Sequence, residues 1–102
     1  KEFFLEFINK DNIIFGLLRL RIVEGKSIVR ELHVYGQALK LGEKIKGASQ
    51  HKGIGKLLMN EAEKITRKNN VKELSVISGV GVREYYRKLG YNLEENYMVK
   101  KI

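Results

Sequence analysis

The hydrophobic period of this chain changes part-way along its length, and that change restricts the folds open to it. Up to Tyr35, apolar and polar residues alternate as they do in half-buried β-strands. From Gly53 to about Asn69, apolar residues recur at spacings of three and four, which is typical of an amphipathic helix. At 102 residues the chain has room for one core. The strands and the helix must therefore pack against each other in one domain.

The pattern predicts eight elements in the order β-β-β-α-β-α-β-β. The predicted strands cover 3–8, 13–23, 28–35, 74–78, 91–93 and 97–102, and the predicted helices begin at 53 and near 79. The first three strands are joined by turn sequences and predict an antiparallel meander. The strand at 74–78 follows a helix, which predicts a right-handed crossover to a parallel neighbour. We therefore expect an α/β (α+β) fold with a mixed sheet and two packing helices.

Side-chain faces follow from the same periods. The second strand places apolar and basic side chains on opposite faces: Leu18, Leu20 and Ile22 against Arg19 and Arg21. The third strand is expected to alternate strictly, with Ile28, Arg30, Leu32 and Val34 on one face. The long helix should bury Ile54, Leu57, Leu58, Ala62 and Ile65, and Glu63 precedes Arg67 by one turn, a spacing at which opposite charges pair along a helix. Four residues of the second helix should share a face: Val82, Tyr85, Tyr86 and Leu89.

Composition excludes several classes of site. The chain has no cysteine and only two histidines, so we expect no disulfide, no metal site and an intracellular, cytoplasmic location. No apolar run approaches the roughly 20 residues of a membrane span, and we expect no membrane partner. The formal net charge of +8 attracts phosphates, whether on a coenzyme or on a nucleic acid. Because the lysines are scattered, solubility alone remains an alternative explanation of this charge.

A glycine-containing segment connects the meander to the long helix. Glycines at 53 and 55 let backbone N–H groups at a helix start approach a phosphate closely, and the helix dipole favours negative charge there. A plain tight turn is the alternative. A Rossmann unit is not indicated because the segment does not open a parallel unit, and a P-loop would need Ser or Thr in place of Leu57.

The segment 50–55, in this order of elements, has the pattern Q-x-x-G-x-G and resembles the acetyl-CoA signature of the GNAT superfamily of acetyltransferases. The resemblance covers Phe3 to Ile102 and implies the GNAT fold, with part of its N-terminal region missing. It implies that the pantetheine arm of acetyl-CoA lies along Glu31, Leu32, His33 and Val34. It also implies that the pyrophosphate lies on Gln50, His51, Lys52, Gly53, Ile54, Gly55 and Lys56.

The same resemblance extends to the second helix. The segment 85–91 is similar to a family pattern, F-Y-x-x-x-G-F, whose tyrosine protonates the departing thiolate. The register gives this role, and a coenzyme contact, to Tyr86, with Tyr85 as the alternative and core packing as the plain reading of either. Glu31 is the one carboxylate beside the expected site, but its spacing does not reproduce that of the general base in lysine-acetylating relatives. We expect His33 to make a local hydrogen bond and His51 to be exposed.

Longer stretches at 30–36, 49–65 and 76–91, with the ending YMVKKI, are very similar to the C-terminal acetyltransferase domain of the Elongator catalytic subunit and its archaeal-type tRNA uridine(34) acetyltransferases. This resemblance implies that the domain supplies the acetyl group for a carboxymethyl-type modification at C5 of uridine 34. It also implies a radical S-adenosylmethionine domain, with an iron–sulfur cluster, in a part of the enzyme outside this chain. Residues 1–102 would then be a C-terminal fragment of that enzyme.

Charge suggests which side chains contact tRNA: Lys44, Lys46 and Lys52. Two other functions stay open on the sequence. One is protein lysine acetylation, including that of histones, with Glu31 or a water relay as the base. The other is a non-catalytic module that binds acyl-CoA or tRNA.

Overall fold

The computed structural model describes residues 1–35 and 53–102, and within them the predicted order of elements is confirmed. The strands are β1 (Glu2–Ile8), β2 (Ile14–Val23), β3 (Lys26–Val34), β4 (Glu73–Ile77), β5 (Asn92–Glu94) and β6 (Tyr97–Lys101). The helices are α1 (Ile54–Lys68) and α2 (Arg83–Lys88), and a 3-10 turn over Val80–Val82 leads into α2.

The six strands form one mixed sheet in the order β1-β2-β3-β4-β6-β5. The meander of β1, β2 and β3 is antiparallel, as predicted, and β4 lies parallel to β3 as the crossover requires. β6 returns antiparallel to β4, and β5 pairs with its outer side. The pairing of β3 with β4 covers only three residues of each strand and ends at Val29 and Val76. Beyond that point the two strands no longer pair.

A β-bulge interrupts the alternation of β3. Arg19 lies opposite Glu31 while Leu20 lies opposite Val29, so Arg30 is an extra residue in the third strand. Val29 and Leu32 consequently face the same side of the sheet although they are three residues apart. The strict alternation expected for this strand is therefore wrong beyond Val29.

The core lies between one sheet face and α1. Its strand side chains include Leu18, Leu20, Val29, Leu74, Val76 and Met98. The predicted contacts of Ile54, Leu58 and Ala62 are confirmed, and a buried hydrogen bond of 2.7 Å joins the hydroxyl oxygens of Ser27 and Thr66. Two expectations for α1 are wrong. Leu57 is 52% exposed, and Glu63 is buried because it bonds inward to Tyr91 and Lys100.

α2 is a short helix that begins after a 3-10 turn and is terminated by a glycine. Its first residues follow the 3-10 turn without a side-chain cap, and the chain leaves it through Gly90 at φ +98°, the left-handed conformation predicted there. A helix of six residues is not stable by itself, so its position depends on what it packs against. Across residues 1–35 and 53–102, no helix is long and apolar enough to span a bilayer.

Candidate functional site

A cleft opens where β3 and β4 stop pairing. It has a volume of about 550 Å³ and lies between the end of β3, the start of α1 and the face of α2. Its lining residues are Leu32, Val34, Gly53, Gly55, Lys56, Val82, Tyr85, Tyr86, Lys88 and Leu89. The four α2-side residues predicted to share a face all line it, which confirms that prediction. The cleft is largely apolar, with Lys56 and Lys88 as its charged side chains.

The start of α1 forms one wall of the cleft, and among the described residues its first backbone N–H groups have no acceptor in the helix itself. Gly53 precedes the helix at φ +85°, no side chain caps the helix, and its first turn contains no acidic residue. The first helical bond runs from the Leu57 N–H to the Gly53 carbonyl, at 2.9 Å. The N–H groups of Ile54, Gly55 and Lys56 therefore have no acceptor within the helix. Together with the helix dipole, they make this end of the cleft suitable for an anion.

Gly55 is required by a contact between the two helices. A Cβ atom at this position would overlap the Tyr85 hydroxyl, and it would lie 3.3 Å from Tyr85 Cζ and 3.6 Å from Val34 Cγ2. The sequence suggested that this glycine uncovers amides for a phosphate. The structure gives a second reason, because only a residue without a side chain lets the Tyr85 phenol rest on α1.

Two phenols from α2 face the cleft in different environments. Tyr86 is 6% exposed, and its ring packs edge-on against Tyr85 at 5.1 Å and against Tyr91 at 6.1 Å between centroids. Burial, with a smaller contribution from Tyr85, raises the pKa of Tyr86 to about 12. Tyr85 is 41% exposed, and partial burial of its hydroxyl raises its pKa as well. Both phenols are protonated at neutral pH and can donate a proton.

Comparison with known proteins identifies the family of the chain that forms this cleft. The model of the acetyltransferase (GNAT) domain matches residues 2–101. The chain belongs to the GNAT acetyltransferase family. The fold and the enzyme class expected from the sequence are thereby confirmed, and the chain is an acyltransferase domain.

The curated relatives of this GNAT domain include the tRNA uridine(34) acetyltransferase of Dehalococcoides mccartyi, which is 45% identical over all of this chain and 25% of its own length. Elongator complex protein 3 of Bos taurus is 47% identical over 99% of this chain and 21% of its own length. The chain thus spans a quarter or less of these relatives, and the resemblance to the Elongator catalytic subunit is confirmed over that part.

Solved structures agree with this placement. The Elp3 protein of the archaeon Methanocaldococcus infernus has a TM-score of 0.83 and 42% identity, covering 99% of this chain and 26% of that one. The PaiA N-acetyltransferase of Thermoplasma acidophilum, solved in complex with coenzyme A, has a TM-score of 0.72 and 26% identity, covering 99% of this chain and 61% of that one.

Within the GNAT domain, Glu31 and His33 are bonded to each other and do not line the cleft. Glu31 Oε2 lies 2.9 Å from His33 Nε2, and Arg19 donates to the other carboxylate oxygen at 3.3 Å. The His33 bond, and then the Arg19 bond, lower the pKa of Glu31. The local hydrogen bond expected for His33 is confirmed. From β3, the cleft receives the side chains of Leu32 and Val34 instead.

Only part of the predicted phosphate-binding segment can be described. Gly53, Gly55 and Lys56 line the cleft, whereas the Ile54 side chain is 1% exposed and belongs to the core, which leaves its backbone N–H as the available group. The rest of this segment lies outside the described residues: Gln50, His51 and Lys52. The other two predicted tRNA contacts, Lys44 and Lys46, also lie outside them.

Sequence reasoning missed a polar cluster behind α2. The Tyr91 hydroxyl donates to Glu63 Oε2 at 2.7 Å, and Lys100 Nζ donates to the same oxygen at 3.2 Å and to the Leu89 carbonyl at 3.1 Å. We call Glu63, Tyr91 and Lys100 the anchor cluster. Its one signal in the sequence was a glutamate beside Ala62, on the edge of the apolar stripe of α1.

Proposed function

We propose that the cleft binds acetyl-CoA and that this GNAT domain supplies the acetyl group within a longer tRNA-modifying enzyme. The observation that carries the proposal is the meeting of three features in one cavity. These are the amides at the start of α1, the end of β3 where pairing with β4 has stopped, and the protonated phenols of α2. The PaiA relative, solved with coenzyme A, supports the choice of ligand.

The pyrophosphate and the pantetheine arm of acetyl-CoA each find matching groups in the cleft. The pyrophosphate suits the amides of residues 54–56, with Lys56 and Lys88 as neighbouring cations. The pantetheine arm carries amides and a thin apolar chain. Because β3 no longer pairs with β4 beyond Val29, backbone groups on that side of β3 are available for those amides, and Leu32 and Val34 offer apolar contact.

Release of coenzyme A by water breaks the bond between the carbonyl carbon and sulfur, places the water oxygen on that carbon to complete a carboxyl group, and leaves a thiolate that takes up a proton. We assign its protonation to Tyr86, which lines the cleft and, as a phenol, carries its proton at neutral pH. Tyr85 is the alternative donor. Its hydroxyl rests on Gly55, close to the expected phosphate position rather than deeper in the cleft.

We propose that the acceptor is the wobble uridine, U34, of a tRNA, as the name of the Dehalococcoides mccartyi relative indicates for that protein. A carboxymethyl product would join C5 of the uridine to the methyl carbon of the acetyl group in place of one hydrogen on each carbon, and this two-electron oxidation would be the task of radical S-adenosylmethionine chemistry. The radical S-adenosylmethionine domain and its iron–sulfur cluster would belong to the part of the enzyme outside these 102 residues, since this chain has no cysteine. The enzyme would work in the cytoplasm. The net charge of +8 supports tRNA as partner, with Lys44, Lys46 and Lys52 as proposed contacts.

Lysine acetylation is the weaker candidate because it needs a base near the thioester. Glu31 is held by Arg19 and His33 outside the cleft lining, its lowered pKa makes it a poorer base, and no other carboxylate among the described residues lines the cleft. A carbon acceptor activated by the rest of the enzyme needs no such base.

Two measurements, one on the chain and one on the full-length enzyme, test the proposal. Calorimetric titration should show that acetyl-CoA binds the chain. The full-length enzyme should then release free coenzyme A from acetyl-CoA faster when tRNA is added, while lysine peptides, including histone tails, stay unacetylated. Acetylated peptide at the tRNA-stimulated rate would favour the lysine acceptor. Coenzyme binding without either activity would favour a non-catalytic module, and the absence of binding would refute the site.

A further inference from the structure

The two helices that line the cleft are connected behind it by a buried charge. Glu63 lies in the middle of α1, 8% exposed, and accepts from Tyr91, which is 1% exposed, just after α2. Lys100 reaches from β6 and contacts both partners, with its Nζ 3.2 Å from Glu63 Oε2 and 5.5 Å from the centre of the Tyr91 ring. The anchor cluster thereby connects α1, the end of α2 and the sheet.

Besides the contacts that Tyr85 and Tyr86 make, this cluster supports α2 at its C-terminal end. The helix has six residues, its first turn has no side-chain cap, and the preceding turn exposes Val80 at 74% and Val82 at 48%. At its other end the Tyr86 carbonyl accepts from the N–H groups of Leu89 and Tyr91, each at 3.0 Å. Tyr91 therefore holds Tyr86 both through the backbone and through edge-on ring contact.

Lys100 forms a hydrogen bond at the C-terminal end of α2. Its ammonium group donates to the Leu89 carbonyl at 3.1 Å, where a positive charge complements the helix dipole. Its stem passes close to Gly90, since a Cβ atom there would lie 3.3 Å from Lys100 Cε. Gly90 is thus needed for its positive φ and also for the passage of this side chain.

From these contacts we infer that Glu63, Tyr91 and Lys100 are positioning residues for the acetyl transfer. They touch neither the cleft nor, on the proposed site, the coenzyme. They fix the distance between the amides of α1 and the phenol of Tyr86, and this distance decides whether the phenol meets the thiolate. Displacement of a reacting group by about 1 Å can cost on the order of 100-fold in rate. The inference rests on the proposed function.

A double-mutant cycle in the full-length enzyme tests this. Tyr91→Phe keeps the ring and removes the bond to Glu63, and we expect tRNA-stimulated release of coenzyme A to fall about 10-fold with the Kd for acetyl-CoA changed less than about twofold. In a Tyr86→Phe background, Tyr91→Phe should cost no further rate, because the group that it positions is already gone. Tyr97→Phe is the matched control, since this tyrosine is 39% exposed on the β5–β6 hairpin and should be silent.

Several results would overturn the inference. These are a Tyr91→Phe enzyme at the wild-type rate, an equal loss in the presence and absence of the Tyr86 hydroxyl, or full activity of Tyr86→Phe alone. If Tyr91→Phe does not fold, Lys100→Met removes the bond to Leu89 from a side chain that is one-third exposed, and the same cycle applies. Lys101→Met, an exposed neighbour on β6, is its control. Failure of the proposed function is distinguishable, because the wild type would then not bind acetyl-CoA.

Discussion

The Tyr85 hydroxyl occupies the space that a Cβ atom on Gly55 would need, so the first turn of α1 and the middle of α2 are in direct contact. This contact closes the cleft beside the amides that we assign to the pyrophosphate. A side chain at position 55 would have to displace the Tyr85 phenol. Several consequences can be measured.

A methyl group at position 55 should be destabilising although it lies in a helix. Alanine is better than glycine in a helix by about 1 kcal/mol, but overpacking costs about 1–3 kcal/mol, and the contact with the Tyr85 hydroxyl leaves no room. We expect Gly55→Ala to lower the free energy of unfolding, and Tyr85→Phe in the same chain to restore part of it. Urea denaturation of the four chains of this cycle gives the coupling. A loss that is the same in both backgrounds would mean that the tyrosine is not its cause.

Lys56 offers a test of the phosphate site in which stability and binding move in opposite directions. A carboxylate in the first turn of a helix interacts favourably with the helix dipole, so Lys56→Glu should leave the melting temperature unchanged or raise it slightly. The same charge should repel the coenzyme phosphates and raise the Kd for acetyl-CoA about 10-fold or more at low salt. Lys64→Glu makes an equal change of charge in the C-terminal half of α1 and should leave the Kd nearly unchanged. Equal effects of the two variants would indicate a general field instead of a site.

The anchor cluster predicts a defined loss of stability at high pH. Burial and the hydrogen bond to Glu63 raise the pKa of Tyr91 well above its ordinary value of 10.0. In the folded protein the phenol stays protonated, whereas in the unfolded chain it ionises above about pH 10. Its stabilising contribution is complete below pH 10 and is lost as the pH rises toward the folded pKa.

The stability advantage of the wild type over Tyr91→Phe should therefore shrink by about 1.4 kcal/mol for each pH unit above 10. Urea titrations of both chains at pH 8, 10 and 11 measure this difference, and Glu63 and Lys100 are present in both. A constant difference across these pH values would contradict the buried hydrogen bond.

The order and the faces of the strands and helices were largely predictable from the sequence, because they follow from the local hydrophobic periodicity. Alternation placed Leu18 and Leu20 in the core and left Arg19 and Arg21 outside, and the glycine at 90 ends α2 as its chemistry requires. The order of the elements then determined a mixed sheet. The family resemblance supplied the identity of the ligand and the choice of Tyr86 over Tyr85. Neither can be inferred from hydrophobic periodicity.

What the sequence did not predict depends on contacts between distant residues. The extra residue Arg30 in β3 arises from pairing with β2, so alternation alone assigned the wrong side to residues beyond Val29. Glu63 was expected to pair with Arg67, one turn along the same helix, but its partners are 28 and 37 residues away in sequence. Leu57 was expected in the core because spacing cannot tell which of two adjacent leucines faces the sheet.

The tyrosine register can be tested by removing one hydroxyl at a time. If Tyr86 protonates the departing thiolate, Tyr86→Phe in the full-length enzyme should lower turnover by about 10²–10⁴-fold with acetyl-CoA affinity nearly intact. Tyr85→Phe should change turnover little, because the Tyr85 hydroxyl lies against Gly55 at the start of α1. Single-turnover kinetics of the two variants separate these effects. A loss confined to Tyr85→Phe would reverse the assignment.

The central claim is that coenzyme A lies between β3, α1 and α2, and a crystal structure of the chain with coenzyme A bound tests it most directly. We predict that the pyrophosphate accepts from the amides of residues 54–56, that the pantetheine arm runs along Leu32 and Val34, and that the sulfur lies nearer to the Tyr86 hydroxyl than to Glu31. Coenzyme bound on the opposite sheet face beside Glu31 and His33, or pyrophosphate away from the start of α1, would contradict the account.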